Sequence, residues 1–170
     1  MKGLIGLGVT GLVISSAAAA YQRPNQGYSE RITTAHNVER ARMRVPALSW
    51  DPALAAGAAA YARQLAGSGL FAHSDRSARR GIGENLWMGT AGFFSLEQMV
   101  GTWISERQWF QPGVFPDVSR SGGWSRVGHY SQIIWPTTTR VGCGLANGAG
   151  REILVCRYAP AGNIDGRRVP

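Results

Sequence analysis

The segment "RVGCGLANGAGREILVCRYAP", residues 140–160, contains two apolar runs joined by a short centre of small and polar residues. The runs "RVGCGLANG" and "REILVCRYAP" each predict a strand, and Asn147-Gly148 between them is a frequent turn signal of β-hairpins. Strands joined by so short a turn are antiparallel. The segment therefore predicts that the fold is built on an antiparallel sheet.

Three stretches before this hairpin predict helices. The first, "SERITTAHNVERARMRV", has Ser29 as its candidate N-cap. The second, "WDPALAAGAAAYARQLAGSG", has Asp51 as N-cap and Pro52 in its first turn. The third, "SLEQMVGTWISERQWF", begins with Ser95 and Gln98, which can form a capping box.

The strands and helices do not alternate as βαβ units. The run "GIGENLWMG", residues 81–89, predicts one more strand, and residues 111–123 are rich in Gly, Pro and Ser and predict a long loop. This order favours an α+β fold in which helices cover a mainly antiparallel sheet. We expect a single domain over residues 29–170.

The first 20 residues do not show the pattern of a folded domain and are instead typical of a targeting segment. Lys2 is followed by an apolar run and then by an A-x-A pattern before Tyr21, the order typical of a secretory signal peptide. A membrane anchor is the alternative, but the apolar run is shorter than the ~20 residues that a spanning helix needs. We expect export to the extracellular space or periplasm with cleavage near Ala20, residues 21–28 as a loose lead-in, and no transmembrane segment in the mature chain.

The two cysteines, Cys143 and Cys156, lie one in each run of the predicted hairpin. An even pair in an exported protein predicts a disulfide. Neither cysteine has a histidine close by in sequence, which argues against a catalytic thiol.

The formal net charge is +8, and all basic residues except Lys2 are arginines. They are scattered along the chain rather than clustered, so the pattern does not predict nucleic-acid binding. The charge permits attraction to anionic lipid headgroups or cell-wall polymers.

Four titratable side chains are candidates for a site: His73, Glu84, Glu106 and His129. Two imidazoles and two carboxylates suit a divalent metal of the Zn²⁺ type, and they equally suit general acid–base chemistry. Their spacing matches no local metal motif, so the residues alone leave both alternatives open. Ser131, two residues after His129, is a candidate nucleophile, but it lies in no G-x-S-x-G elbow.

Five motifs, in the order of the chain, resemble the CAP superfamily of cysteine-rich secretory proteins, venom allergens and pathogenesis-related plant proteins. They extend from about Ile32 to Ile164: "HNVER", "LSWDPALAAGAAAYARQLA", "GENLW", "GHYSQIIWPTT" and "ILVCRYAPAGNI". The resemblance implies an α-β-α sandwich with a central cleft. It also implies that His73, Glu84, Glu106 and His129 form a metal-binding tetrad, with Zn²⁺ as the expected ion.

The resemblance further implies that His36 and Asn37 serve packing and hydrogen bonding, and that Ser131 is either a cleft hydroxyl or a backbone partner. The expected function is a secreted, non-enzymatic binding module for a lipid or sterol, a membrane or an extracellular partner such as an anionic cell-surface ligand. Phe93-Phe94 and Val114-Phe115 are candidate lining residues of a lipid groove. The alternative is a metal-dependent extracellular hydrolase that uses the same tetrad, with Ser131, Glu84 and Glu106 as its catalytic groups.

Overall fold

The structure, a computed structural model, describes residues 26–170, so the predicted leader and its cleavage site near Ala20 lie outside the described residues. Besides three short 3₁₀ helices, the described part of the chain contains four α-helices and six strands. In chain order they are α1 Gln26–Arg42, β1 Ser49–Trp50, α2 Pro52–Ser68, β2 Gly83–Thr90, α3 Leu96–Ser105, β3 Gly113–Val114, α4 Gly128–Ile133, β4 Arg140–Gly148, β5 Arg151–Ala159 and β6 Arg168–Val169.

The predicted helix starts of α2 and α3 are confirmed. The Asp51 side chain accepts hydrogen bonds from the first backbone N–H groups of α2, and Ser95 and Gln98 form both hydrogen bonds of a capping box. Helix α1 differs, because it begins at Gln26 and includes the last residues of the expected lead-in. Ser29 therefore lies within the helix and is not its N-cap.

The main sheet has the strand order β1-β4-β5-β2. The β4–β5 and β5–β2 pairs are antiparallel, and the short β1 runs parallel to β4. A second sheet pairs β3, within the expected loop 111–123, with β6 near the C-terminus. The prediction of a mainly antiparallel central sheet is confirmed.

The β4–β5 hairpin forms, but its turn lies two residues later than predicted. Asn147 and Gly148 remain in β4, opposite Glu152 and Arg151. The turn is made by Ala149 and Gly150, both with positive φ (48° and 74°). Two positive φ angles match a type I′ turn, whose twist suits a two-residue hairpin.

Cys143 lies directly opposite Cys156 in the β4–β5 register, and the two form a disulfide. The predicted bridge is confirmed. It joins two strands that are already neighbours in the sheet.

Successive residues of β5 face two separate apolar cores. Ile153 and Val155 pack with buried residues of α2, whereas Leu154 and Cys156 belong to the larger core with α1, α3 and α4. This alternation is the period of two expected of a strand with both faces covered. The fold is therefore an α-β-α sandwich, as the resemblance implied. No helix among residues 26–170 combines the length and apolar character needed to cross a bilayer.

Candidate functional site

A cleft of about 780 Å³ opens beside the start of β2. Its polar lining includes His73, Glu84 and His129, together with Gln132 and Asn163. The apolar part of its lining includes Phe115, Trp124 and Ile164. The fold thus brings both candidate histidines to one cleft, although 56 positions separate them in the printed sequence.

On one side of the cleft, Glu84 holds His73. The Nδ1 atom of His73 lies 3.0 Å from Glu84 Oε1, and the backbone and hydroxyl of Ser74 donate to the same carboxylate at 2.9 and 2.7 Å. The Glu84 side chain is fully buried, and guanidinium nitrogens of Arg157 and Arg79 lie 3.5 and 3.8 Å from it. The carboxylate is therefore completely surrounded by donors.

These donors keep Glu84 ionised although it is buried. Burial works to raise its pKa, but the hydrogen bonds from His73 and Ser74 and the charge of Arg79 outweigh it and lower the pKa to about 2. A carboxylate in this environment accepts hydrogen bonds and does not serve as a general acid at neutral pH.

On the other side of the cleft, Glu106 holds His129. The Nδ1 atom of His129 lies 2.6 Å from Glu106 Oε1, and the backbone N–H groups of His129 and Tyr130 each donate to Oε2 at 3.0 Å. These N–H groups belong to the first turn of α4, so the carboxylate also caps that helix. The indole of Trp103, one helical turn before Glu106, stacks on the His129 ring at 6.0 Å between centroids.

The tetrad is thus arranged as two histidine–glutamate pairs. Each Nδ1 is engaged by a carboxylate, so Nε2 is the ring nitrogen left for a ligand. Within the described residues, no group of three or more His, Cys, Asp or Glu side chains is placed to hold a metal ion. The glutamates accordingly orient the imidazoles, and the structure does not form a four-ligand cage.

Ser131 is buried and engaged within the protein. Its hydroxyl lies 2.8 Å from Asn163 Oδ1 and 3.2 Å from the Gly128 carbonyl. None of the surface of Ser131 is exposed to solvent. Both partners are acceptors rather than bases that could activate the hydroxyl. The closer contact joins Ser131 to the Asn163 side chain, and the longer one to the backbone.

His36 and Asn37 lie outside the cleft lining and support the fold. The His36 ring bridges the Ile32 carbonyl and the Tyr158 hydroxyl at 2.8 and 2.9 Å. Asn37 exchanges two hydrogen bonds with the backbone of Leu48. Their expected packing role agrees with these contacts.

Two cleft residues were not singled out from the sequence. The Gln132 side chain accepts from the Gly162 backbone at 2.9 Å, and Asn163 donates to the Gly128 carbonyl at 2.8 Å. Together they join both ends of α4 to the segment after β5. Both residues belong to motifs quoted above, in their parts "GHYSQ" and "APAGNI". The polar residues of these motifs were the sequence signal that could have identified them as cleft residues.

The apolar residues expected to line a lipid groove do not lie together. Phe115 lines the cleft, with 3% of its surface exposed, whereas Phe93 and Phe94 lie in the turn between β2 and α3. That turn is at the other end of β2 from the cleft. The structure therefore contains no single groove formed by these side chains.

The fold and site together define an α-β-α sandwich with a histidine–glutamate cleft. The model of the cysteine-rich secretory protein family, CAP, matches residues 33–158, and the chain belongs to this family. Among curated relatives, pathogenesis-related protein 1C of Nicotiana tabacum is 34% identical over 157 residues, covering 92% of this chain and 86% of the relative. GLIPR1-like protein 1 of Homo sapiens is 34% identical over 149 residues, covering 76% of this chain and 57% of that protein.

Solved structures show the same fold at lower sequence identity. NaASP2, determined with Zn²⁺, superposes with a TM-score of 0.73 at 24% identity and covers 84% of each chain. BmVAL-1 superposes with a TM-score of 0.69 at 24% identity, covering 89% of this chain and 84% of that one. These likenesses establish the fold.

Proposed function

We propose that this chain is an exported, non-enzymatic binding module whose cleft takes a divalent cation, Zn²⁺ by preference, between His73 and His129. The observation that carries the proposal is the carboxylate on the Nδ1 of each imidazole. Such a pairing fixes the ring, makes Nε2 the ligating nitrogen and raises its basicity, which is how proteins commonly support metal-binding histidines.

The donor set fits an open site rather than a structural one. Structural zinc sites use four protein ligands and catalytic sites usually three. His73 and His129 supply two nitrogens, so water or a group of the bound ligand would complete the coordination. The role of the ion here would be to link the protein to a ligand in the cleft. NaASP2, which shares the fold, was determined with Zn²⁺.

The arrangement supports binding better than hydrolysis. Ser131 is buried without a base, and both glutamates are occupied by donors from the protein. A metal-activated water also needs a nearby proton acceptor. Every carboxylate oxygen of Glu84 and Glu106 already accepts at least one hydrogen bond from the protein.

The ligand that we propose is a lipid or sterol, or an anionic component of a cell surface. The net charge of +8 favours anionic partners. Trp124 and Ile164, 41% and 46% exposed, supply an apolar wall beside the polar floor of the cleft. Export is part of the proposal; the signal-peptide pattern predicted from the sequence supports it, and it accords with the family's description as secretory.

Calorimetric titration of residues 21–170 with Zn²⁺ tests the cation site. We expect binding that weakens by at least about ten-fold in a His73→Ala/His129→Ala variant, because each imidazole is a primary ligand. Glu106→Gln should weaken binding by about 10–100-fold, the usual effect of losing the partner of a ligating histidine. A His36→Gln variant is the matched control, since it removes the third imidazole outside the cleft.

Equal heats for the wild type and the double-histidine variant would refute the cation site. Cleavage of a peptide library by the zinc-loaded protein, lost in the same variant, would instead establish the hydrolase alternative. Circular dichroism of each variant confirms that it is folded before titration.

A further inference from the structure

Glu152, the second residue of β5, is a buried carboxylate without a cationic partner. Only 7% of its surface is exposed, and it forms no ion pair with any arginine, lysine or histidine among residues 26–170. A buried charge is costly unless it is paired, hydrogen-bonded or bound to a metal. The negative charge of Glu152 is therefore not balanced by any side chain in that range.

Among the described residues, the neighbours of Glu152 along the sheet do not supply a positive charge. Arg151 is next in sequence but lies on the opposite face of β5, where its guanidinium donates to Met88 Sδ at 3.5 Å. In β2, Gly89 lies opposite Glu152 and has no side chain of its own. The Trp87 ring lies over Gly89, where a Cβ would come within 2.4 Å of it. On the β2 side, the carboxylate is thus bordered by an apolar ring.

On the β4 side, two further oxygens group with the Glu152 carboxylate. Asn147 lies directly opposite Glu152 in the β4–β5 register. Its Oδ1 lies 3.3 Å from Glu152 Oε1 and 3.3 Å from the Ala146 carbonyl oxygen, while its Nδ2 faces only donors. Oxygens placed in this way repel one another. Either a cation lies among them, or the amide is turned over so that Nδ2 donates to both of the other oxygens.

The Tyr28 hydroxyl is a second polar group near Glu152 that lacks a partner. It is buried and has no hydrogen bond within the part of the chain that the structure describes. Burial, and after it the negative charge of Glu152, raises the pKa of this phenol well above its usual value. The two groups therefore interact electrostatically but share no hydrogen bond. A cation beside Glu152, with its bound water, would give both groups a partner.

The donor atoms and their spacing favour Ca²⁺. A carboxylate, an amide oxygen and a backbone carbonyl are hard oxygen ligands, which suit Ca²⁺ and Mg²⁺ rather than Zn²⁺. Neighbouring ligands of an octahedral Ca²⁺ ion, bound at about 2.3–2.6 Å, lie about 3.3–3.7 Å apart, whereas those of Mg²⁺ lie about 2.8–3.0 Å apart. The two oxygen–oxygen separations of 3.3 Å match Ca²⁺.

We propose that Glu152 Oε1, Asn147 Oδ1 and the Ala146 carbonyl oxygen bind a Ca²⁺ ion beside the β4–β5 turn. Asn147 is exposed, so the ion reaches the site from solvent and water completes its coordination. With a single carboxylate, the site should bind Ca²⁺ with a dissociation constant of about 10⁻⁴–10⁻³ M, the range of extracellular calcium modules. The bound ion holds the end of the hairpin together.

The calcium site is separate from the cleft and does not rest on the function proposed there. Glu152 lies five positions before Arg157, the residue of β5 that is opposite Glu84. At about 3.3 Å per residue, the two sites are roughly 17 Å apart along the strand.

Thermal unfolding of residues 21–170, the chain expected after cleavage of the leader, tests the site. We expect about 10 mM Ca²⁺ to raise the unfolding midpoint of the wild type by about 3–10 °C, because an ion that binds only the folded chain stabilises it. Glu152→Gln should lose this shift. Without Ca²⁺ it should unfold no lower than the wild type, since it removes an unbalanced buried charge. Calorimetric titration should show Ca²⁺ binding at least about ten-fold weaker in Glu152→Gln and in Asn147→Ala.

Glu97→Gln is the matched control, because it makes the same chemical change at an exposed carboxylate that Arg31 already binds. Its shift with Ca²⁺ should equal that of the wild type. No shift in the wild type, or an equal shift in Glu152→Gln, would overturn the proposal, and the Asn147 amide would then donate through Nδ2. A shift of the same size with Mg²⁺ would overturn the assignment to Ca²⁺.

Two cross-titrations separate this site from the cleft. Zinc binding by Glu152→Gln and Ca²⁺ binding by the His73→Ala/His129→Ala variant should each match the wild type. Loss of Ca²⁺ binding in the double-histidine variant would place the ion in the cleft and contradict the proposal.

Discussion

The three histidines show how the environment of a residue sets its role. His73 and His129 each have Nδ1 held by a carboxylate, whereas His36 is buried without an acidic partner. The Ile32 carbonyl can only accept, so Nδ1 of His36 carries the proton and Nε2 accepts from the Tyr158 hydroxyl. Burial, with a smaller effect of the nearby Arg40, lowers the pKa of His36 to about 4.

His36 should make the protein less stable in mild acid. Because the folded pKa lies below the unfolded value of about 6.5, the unfolded chain takes up the proton first, and stability falls as the pH falls from about 6.5 towards 4. Between pH 7 and pH 5 the loss should be about 2 kcal/mol. Urea unfolding at both pH values, for the wild type and His36→Gln, measures it.

Comparison with the His36→Gln variant separates the pH dependence of stability caused by His36 from that caused by the other titrating groups. The stability advantage of the wild type over His36→Gln should shrink by about 2 kcal/mol between pH 7 and pH 5. An advantage that stays constant over this range would contradict the prediction.

At the level of elements, α2 lies against β4 with almost no space between their backbones. Gly142, Gly144 and Gly148 occupy alternate positions of β4, and a Cβ at each would come within 2.2–2.4 Å of α2 backbone atoms. Ala59 is the residue of α2 opposite Gly144. The absence of side chains at these glycines is what lets α2 pack so closely on this strand.

Gly144→Ala should destabilise the fold by about 3 kcal/mol, because the new methyl group meets backbone atoms that cannot move without separating α2 from the sheet. Gly101→Ala is the control: no atom lies within 4 Å of its Cβ position, and it lies inside α3. There the change should stabilise by roughly 0.5–1 kcal/mol through helix propensity.

Thermal and urea unfolding of both variants and the wild type gives the change in the free energy of unfolding for each substitution. Similar effects of the two substitutions would mean that the contact between α2 and β4 is not as close as described. Destabilisation by Gly144→Ala together with stabilisation by Gly101→Ala would support the close contact between α2 and β4.

At the level of the whole molecule, the sheet separates two apolar cores, and the disulfide lies within the sheet itself. Cys143 and Cys156 are 13 positions apart and join the two central strands. Both side chains are buried and belong to the larger core. The bridge therefore stabilises a hairpin that the packing on both sides already defines.

Replacing both cysteines by alanine should lower the free energy of unfolding by about 3 kcal/mol, from the entropy that the unfolded chain regains. The zinc titration of the variant should match that of the wild type, since the cleft is formed by other segments. Urea unfolding measures the first effect. An unchanged midpoint and slope in the variant would contradict the prediction.

Features that depend on neighbouring residues could be predicted from the sequence. These include the capped starts of α2 and α3, the hairpin with one cysteine in each strand, and the α+β class, whereas the register that sets Cys143 opposite Cys156 came from the structure. Each rests on contacts within a few residues, where backbone geometry leaves few alternatives. The family motifs added the tetrad, which residue spacing alone had left undecided.

The pairing of distant residues could not be predicted from the sequence and is set by the tertiary structure. It joins His73 to Glu84 and His129 to Glu106, engages both carboxylates, buries Ser131 and places Phe93 and Phe94 at the other end of β2 from the cleft. These outcomes depend on how helices pack on the two faces of the sheet. No local pattern specifies them, because side chains far apart in sequence meet only when the whole core is formed.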